Sequence, residues 1–170
     1  MPEMICPGRC GDSTHRGCAR WLATALLAAL AWLAPFSANA QARLAGSQDG
    51  GVVTDSRTGL TWRRCSEGQA FDGVTCAGTS TAFTHEQALL HAKGQAGWRL
   101  PNVKELGSLV DRARLNPSID PLAFPETESY YYWSSSPVAD FPVLVWIVNF
   151  RYGDVDGLNR DYYGLLRLVR

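Results

Sequence analysis

Residues 143–150 read VLVWIVNF. Only Asn149 interrupts an otherwise apolar run of strand length, rich in β-branched and aromatic residues. Such a run predicts a strand covered on both faces, and so a central one. The neighbours agree. Tyr130 to Ser135 reads as a second strand, Gly153 and Gly157 bound a turn, and Tyr162 to Val169 is expected to pair back as the last strand. Before these, Asn116-Pro117, Asp120-Pro121 and Phe124-Pro125 punctuate a long segment. Proline at that density excludes helix and central strand.

Further upstream the period changes from two to 3.6. Thr84 and Gln87 are spaced as a capping box, opening a helix to about Lys93 that Gly94 closes. Ala88 and Ala92 give it a small inner face, with Leu89 beside them. Asn102 caps a second helix with Glu105 three residues on, and Val103, Leu106, Leu109 and Val110 follow a helical period. Residues 41–48 form a short lead-in. Two turns, Asp49-Gly50-Gly51 and Asp55 to Gly59, flank Val52-Val53-Thr54 and suggest a hairpin with Leu60 to Arg63. Two short helices early and antiparallel strands late define a single α+β domain.

Residues 1–40 carry a different signal. Arg9, Arg16 and Arg20 precede an apolar run from Trp21 to Leu33, and Ala38-Asn39-Ala40 gives a small-x-small site before Gln41. The run falls short of the roughly 20 residues that span a bilayer. A basic start, a short apolar core and an A-x-A site read as a cleaved secretory signal peptide. The mature protein is thus expected in the periplasm or outside the cell, without a membrane span.

Of the 170 residues 46% are hydrophobic and 19% charged, a globular balance. Three Arg, one Glu and one Asp precede residue 41, leaving 13 basic and 14 acidic groups after it. A strongly basic, nucleic-acid-binding field is thereby excluded. Cys65 and Cys76 are the two cysteines beyond residue 41. In an exported chain such a pair is most simply a disulfide. A zinc site needs more ligands than His85 and His91 supply, and their spacing of six sets them on different faces of a helix.

Candidate contacts follow from residue type. Four tryptophans (Trp62, Trp98, Trp133, Trp146) read mostly as core, with Trp133, beside Ser134 to Ser136, the expected exception. Tyr130, Tyr131 and Tyr132 cannot all face one side of a strand, so Tyr131, together with Tyr152, Tyr162 and Tyr163, is expected at a sugar-contacting surface. Arg63 and Arg64, and Arg112 and Arg114, could form basic spots for a sulfate. Arg99, Arg167 and Arg170 read as structural arginines for Glu105 or Asp111. Asp154, Asp156, Asn159 and Asp161 offer oxygens to calcium, although their spacing is not that of an EF-hand and the same residues simply make turns. His85 and His91 read as a solvated helix face. No nucleophile elbow accompanies them, so no catalytic set is expected.

Six pieces, in order, resemble one family: DGGVVTDSRTGLTW (49–62), WRLPNVKELGSLVD (98–111), NPSID with FP (116–125), YWSSSP (132–137), VWIVNF (145–150) and LLRLVR (165–170). The family consists of exported bacterial domains named after the C-terminal domain of a Legionella collagen-like adhesin, also catalogued as a domain of unknown function. The resemblance spans residues 49–170. WRLP and the arginine-bearing last strand also look like the formylglycine-generating group, which implies a C-type-lectin-like variant with a twisted antiparallel sheet. That group's oxidase chemistry does not carry over, because its reactive cysteines lie late and no cysteine follows Cys76 here. The adhesin domain is linked with sulfated glycosaminoglycans, but this chain lacks a collagen Gly-X-Y tract. Together these imply a non-catalytic binding module for glycans or another surface polymer, without a cofactor. The alternative is an envelope assembly protein that binds a protein partner.

Overall fold

Three antiparallel strands open the domain: β1 (Leu44–Gly46), β2 (Val52–Asp55) and β3 (Thr61–Arg63). The computed structural model describes residues 42–170, which cluster as one unit. The signal peptide expected over residues 1–40 lies outside the described residues. The expected hairpin of β2 and β3 is present, with Val53 opposite Trp62. The lead-in is not bare coil, since β1 adds a third strand there. It is tied by Arg43, whose guanidinium donates twice to the buried Asp55 carboxylate, at 3.1 and 2.7 Å.

A two-stranded ribbon, β4 (Ala70–Phe71) and β5 (Cys76–Ala77), then forms inside the loop closed by the Cys65–Cys76 disulfide. Helix α1 (His85–Gly94) and helix α2 (Val103–Gly107) both start with complete capping boxes, Thr84 with Gln87 and Asn102 with Glu105. The second sheet is β6 (Tyr131–Pro137), β7 (Leu144–Asn149) and β8 (Asp154–Asn159), with β7 in the middle as its apolar sequence requires.

Side chains of β6 and β7 feed two apolar clusters on opposite faces of that sheet. Tyr132 and Val148 pair on one side and join Trp62, Leu106, Ile119, Phe124 and Phe150. Trp133 and Ile147 pair on the other and join Ala88 and Ala92 of α1 with Leu100. The final segment divides its side chains in the same way, Leu165 and Val169 to the first cluster and Leu166 and Leu168 to the second.

That segment does not return as a hairpin partner of β7. The chain instead draws Asp154 to Asn159 out as β8 beside β7, where a turn was expected. Gly164 to Val169 is buried and threads between the sheets. It makes isolated bridges to Phe83, Tyr132, Trp62 and Arg99 in succession. Its one polar side chain, Arg167, is fully buried. Nη1 donates to the carbonyls of Arg63 (2.9 Å) and Arg64, and Nη2 to Thr127 Oγ1 (2.7 Å). The guanidinium lies over the rings of Phe124 and Tyr132.

Candidate functional site

The register of the first sheet decides which residues meet solvent. Val53 and Trp62 are fully buried, so Val52, Thr54, Thr61 and Arg63 point to the other face. The hydroxyls of Thr54 and Thr61 lie 3.5 Å apart there. Arg170 exchanges both backbone hydrogen bonds with Thr61, at 2.9 Å each, and so shares that face. Arg99 exchanges hydrogen bonds with Val169, which places its neighbour Trp98 on the same outer side. The result is an open surface of threonines and arginines around a half-buried indole.

Trp98 is the centre of it. The Arg63 guanidinium carbon lies 5.2 Å from the ring centroid and that of Arg170 4.7 Å. Both are within cation–π range. Arg63 is further held by Glu67 (Nη1 to Oε1, 3.0 Å) and by the Gln95 side chain (Nη2 to Oε1, 2.7 Å). Glu67 is almost fully buried. Its second oxygen lies 2.6 Å from His91 Nε2. A buried carboxylate must be paired to be tolerated, and β3 and α1 each supply one partner. The Arg170 guanidinium has no hydrogen-bond acceptor among the described residues.

Trp98 lines two hollows. One, of about 250 Å³, is walled by Val52, Arg63, Cys65, Glu67 and Phe71. The other, of about 340 Å³, is walled by Leu89, Ala92, Leu100 and Ser135. Arg64 lies over the Phe71 ring at 4.5 Å. Gly46 and Gly50 allow this, because a Cβ on the first would collide with the Arg64 guanidinium and on the second with Phe71. The surface offers guanidinium N–H donors with fixed planes beside an aromatic ring. That chemistry suits acceptor oxygens carried on a ring-shaped ligand.

The sequence-based candidates are not all gathered here. Trp133 is fully buried and donates its indole N–H to the Phe83 carbonyl at 2.8 Å, so it is core and not the exposed exception. Among the described residues the half-buried tryptophans are Trp98 and Trp146. Tyr131 and Tyr152 are exposed, the first stacked near Tyr130 and the second under Arg151, but neither lines the hollows beside Trp98. Arg114 pairs with Asp111 at 2.8 Å, and Arg112 lines a separate hollow of about 450 Å³ with Arg43 and Asp120.

Asp154 and Asp156 sit on one face of β8, while Asn159 accepts a hydrogen bond from the Asp161 backbone. Among the described residues no three His, Cys, Asp or Glu side chains converge as metal ligands. The helix histidines are not solvated as expected. His91 pairs with Glu67, and His85 is buried against Trp133 with Nε2 3.2 Å from the Ser134 carbonyl oxygen. Arg99 takes Glu105 as its partner, at 2.8 Å twice, whereas Arg167 takes carbonyls and hydroxyls. Glu67, His91 and Gln95 were not singled out as contacts by the sequence. Nothing local marks them, because they meet through side chains from the end of β3, the loop after it and α1.

The chain is therefore a small α+β domain that presents arginines stacked on a half-buried tryptophan. It belongs to the Lcl C-terminal domain family, whose sequence model matches residues 51–170. No curated protein and no solved structure gives a significant match. Among the described residues no helix is long and apolar enough to cross a membrane.

Proposed function

We propose that the domain is an exported, non-catalytic binding module for glycans or another cell-surface polymer. One observation carries the reading: Trp98, clasped by Arg63 and Arg170, stands between two hollows on an open sheet face. A ridge flanked by two hollows suits a chain with repeating units better than a single small molecule. The C-type-lectin-like character of the scaffold belongs to the same proposal. It is supported by the α+β mix and by the pairing of the first hairpin with the final segment.

The test is a glycan array on the oxidised protein, run with calcium and again with chelator, beside Trp98→Ala and Arg170→Ala. Saturable binding that falls roughly tenfold in each variant supports the reading. A signal that weakens with salt assigns part of it to the arginines. A signal lost only in chelator adds Asp154, Asp156, Asn159 and Asp161. A blank array, or variants that bind like the parent, overturns it.

A second reading has its own observation. Phe141, Val143, Tyr162 and Tyr163 are all exposed, and the Arg160 backbone N–H donates to the Val143 carbonyl, bringing the two loops together. An apolar patch of this kind suits a protein partner in an envelope assembly. Crosslinking that captures one defined protein through these residues, with no glycan signal, would place that reading first.

A further inference from the structure

The last strand of the second sheet, β8, pairs on one side only. Its register says which backbone groups face the other way. The Arg160 N–H donates to the Val143 carbonyl at 3.0 Å. In an antiparallel ladder the bonded positions alternate, so Leu158, Asp156 and Asp154 bond to β7. The N–H and C=O groups of Val155, Gly157 and Asn159 therefore point away from β7. The Asn159 carbonyl accepts from the Tyr162 N–H at 3.0 Å. The Gly157 N–H donates to its neighbour's carboxylate, Asp156 Oδ1, at 2.7 Å. Both groups of Val155 and the Gly157 carbonyl have no protein partner among the described residues. Asp154, Val155 and Asp156 are all exposed, so the edge is open at this point.

An open edge is a template for a further strand. Charge and shape decide which strand enters. An antiparallel strand would exchange both backbone bonds with Val155 and with Gly157. Two of its residues, at alternate positions, would then face Asp156 and Asp154 at the close, non-hydrogen-bonded spacing. Neither aspartate has an ion-pair partner among the described residues. A second copy of β8 centred on Val155 would set Asp154 against Asp156, so like charges oppose it. The face shared by Val155 and Gly157 is apolar, since a Cβ on Gly157 would lie 3.5 Å from the Val138 and Leu144 side chains. Asp156 also acts as a gate. While it holds the Gly157 N–H, an added strand forgoes that bond. A cation on the added strand draws the carboxylate away and frees the N–H. We propose that β8 docks an extended basic segment of a protein partner, with lysine or arginine at two alternate positions and apolar residues between, and that Asp156 closes the edge to uncharged strands. No residue of β8 lines the hollows beside Trp98, and the proposal does not rest on that surface.

The experiment is an NMR titration of the intact oxidised protein, following the amides of Val155 and Gly157. The probes are the capped peptide Ile-Lys-Val-Lys-Thr, its twin with glutamine for both lysines, and a lysine form N-methylated at the central valine. Expected are saturable shifts of both amides with the lysine peptide, roughly fivefold weaker with the glutamine twin and weakened by salt. The N-methylated form should not bind, because it cannot donate to the Val155 carbonyl. Asp156→Ala removes the gate and should bind the glutamine twin several-fold tighter than the parent does. Should that variant disturb β8, Asp154→Asn must still weaken the lysine peptide and leave the glutamine twin unchanged. Equal binding of the two peptides, undiminished binding of the N-methylated form, or shifts confined to other surfaces would each overturn the proposal. So would concentration-dependent shifts of both amides without peptide, which would make the occupant a second copy. The Trp98 indole signal reports the other surface separately, so failure here leaves that reading standing.

Discussion

Arg167 is a cation held in the core with no carboxylate in hydrogen-bond contact. Burial lowers its affinity for the proton, while the carbonyls of Arg63 and Arg64 and the hydroxyls of Thr127 and Ser66 replace its water. It thereby pins the final segment to the chain just after β3. Arg167→Met should leave those acceptors unsatisfied and cost about 3 kcal/mol, read from denaturant midpoints. Arg167→Lys should recover little, because one ammonium cannot reproduce the planar fork.

His85 is the residue with a definite pH consequence. Its imidazole is held below 6.5 by burial. As pH falls through the unfolded value the unfolded chain takes up a proton that the folded one refuses. Stability should decline from there down to the folded pKa. His85→Gln should flatten that part of a melting series run from pH 8 to pH 5. A parent whose melting temperature is constant across the interval would contradict the burial argument.

At this scale the sequence is readable where a residue's role is local and unreadable where it is not. Cys65 and Cys76 needed only their number beyond residue 41 and the expectation of export. Trp133 and Trp98 sit in similar polar contexts, and what satisfies the Trp133 indole N–H in the core is the Phe83 carbonyl, 50 positions away.

Among elements, α2 shows what local signals can do. Five residues are too few for an isolated helix, since nucleation is unfavourable and few bonds follow it. Asn102 accepts from the Glu105 N–H at 2.9 Å, and Glu105 accepts from the Asn102 N–H at 2.8 Å. Glu105 also holds Arg99 beside the last segment. Asn102→Ala should cost about 1 kcal/mol, seen as faster amide exchange in residues 103–108 before any global loss.

Both capping boxes were legible because their partners are three residues apart. β8 was not. Asp154-Val155-Asp156-Gly157 has poor strand propensity and turn-forming residues. It becomes a strand because β7 presents a free edge, and its outward carboxylates are an expected feature of an edge strand. The final segment was legible as extended chain but not as a spine, since each of its bridges goes to a different distant segment.

For the whole molecule, the disulfide couples stability to the proposed binding surface. Cys65 follows Arg64 directly and lines the hollow beside Trp98, and Glu67, two residues on, orients Arg63. Cys76 lies in β5, across the loop. Closing an 11-residue separation removes loop entropy from the unfolded chain worth about 3 kcal/mol. For a domain of this size that corresponds to a melting temperature roughly 10 °C lower once the bond is reduced. Calorimetry of oxidised and reduced protein, and of the Cys65→Ser, Cys76→Ser double variant, reads the difference directly. The variant should match the reduced protein, because the term belongs to the unfolded state. The folded reduced protein should still bind at low temperature, because β3 is held by the final segment through the Arg63 N–H to Leu168 carbonyl bond and through Arg167. Binding should then vanish on heating at the reduced melting point and not before. Loss of binding on reduction at low temperature, with the fold intact by circular dichroism, would instead make the disulfide a direct organiser of the Trp98 surface.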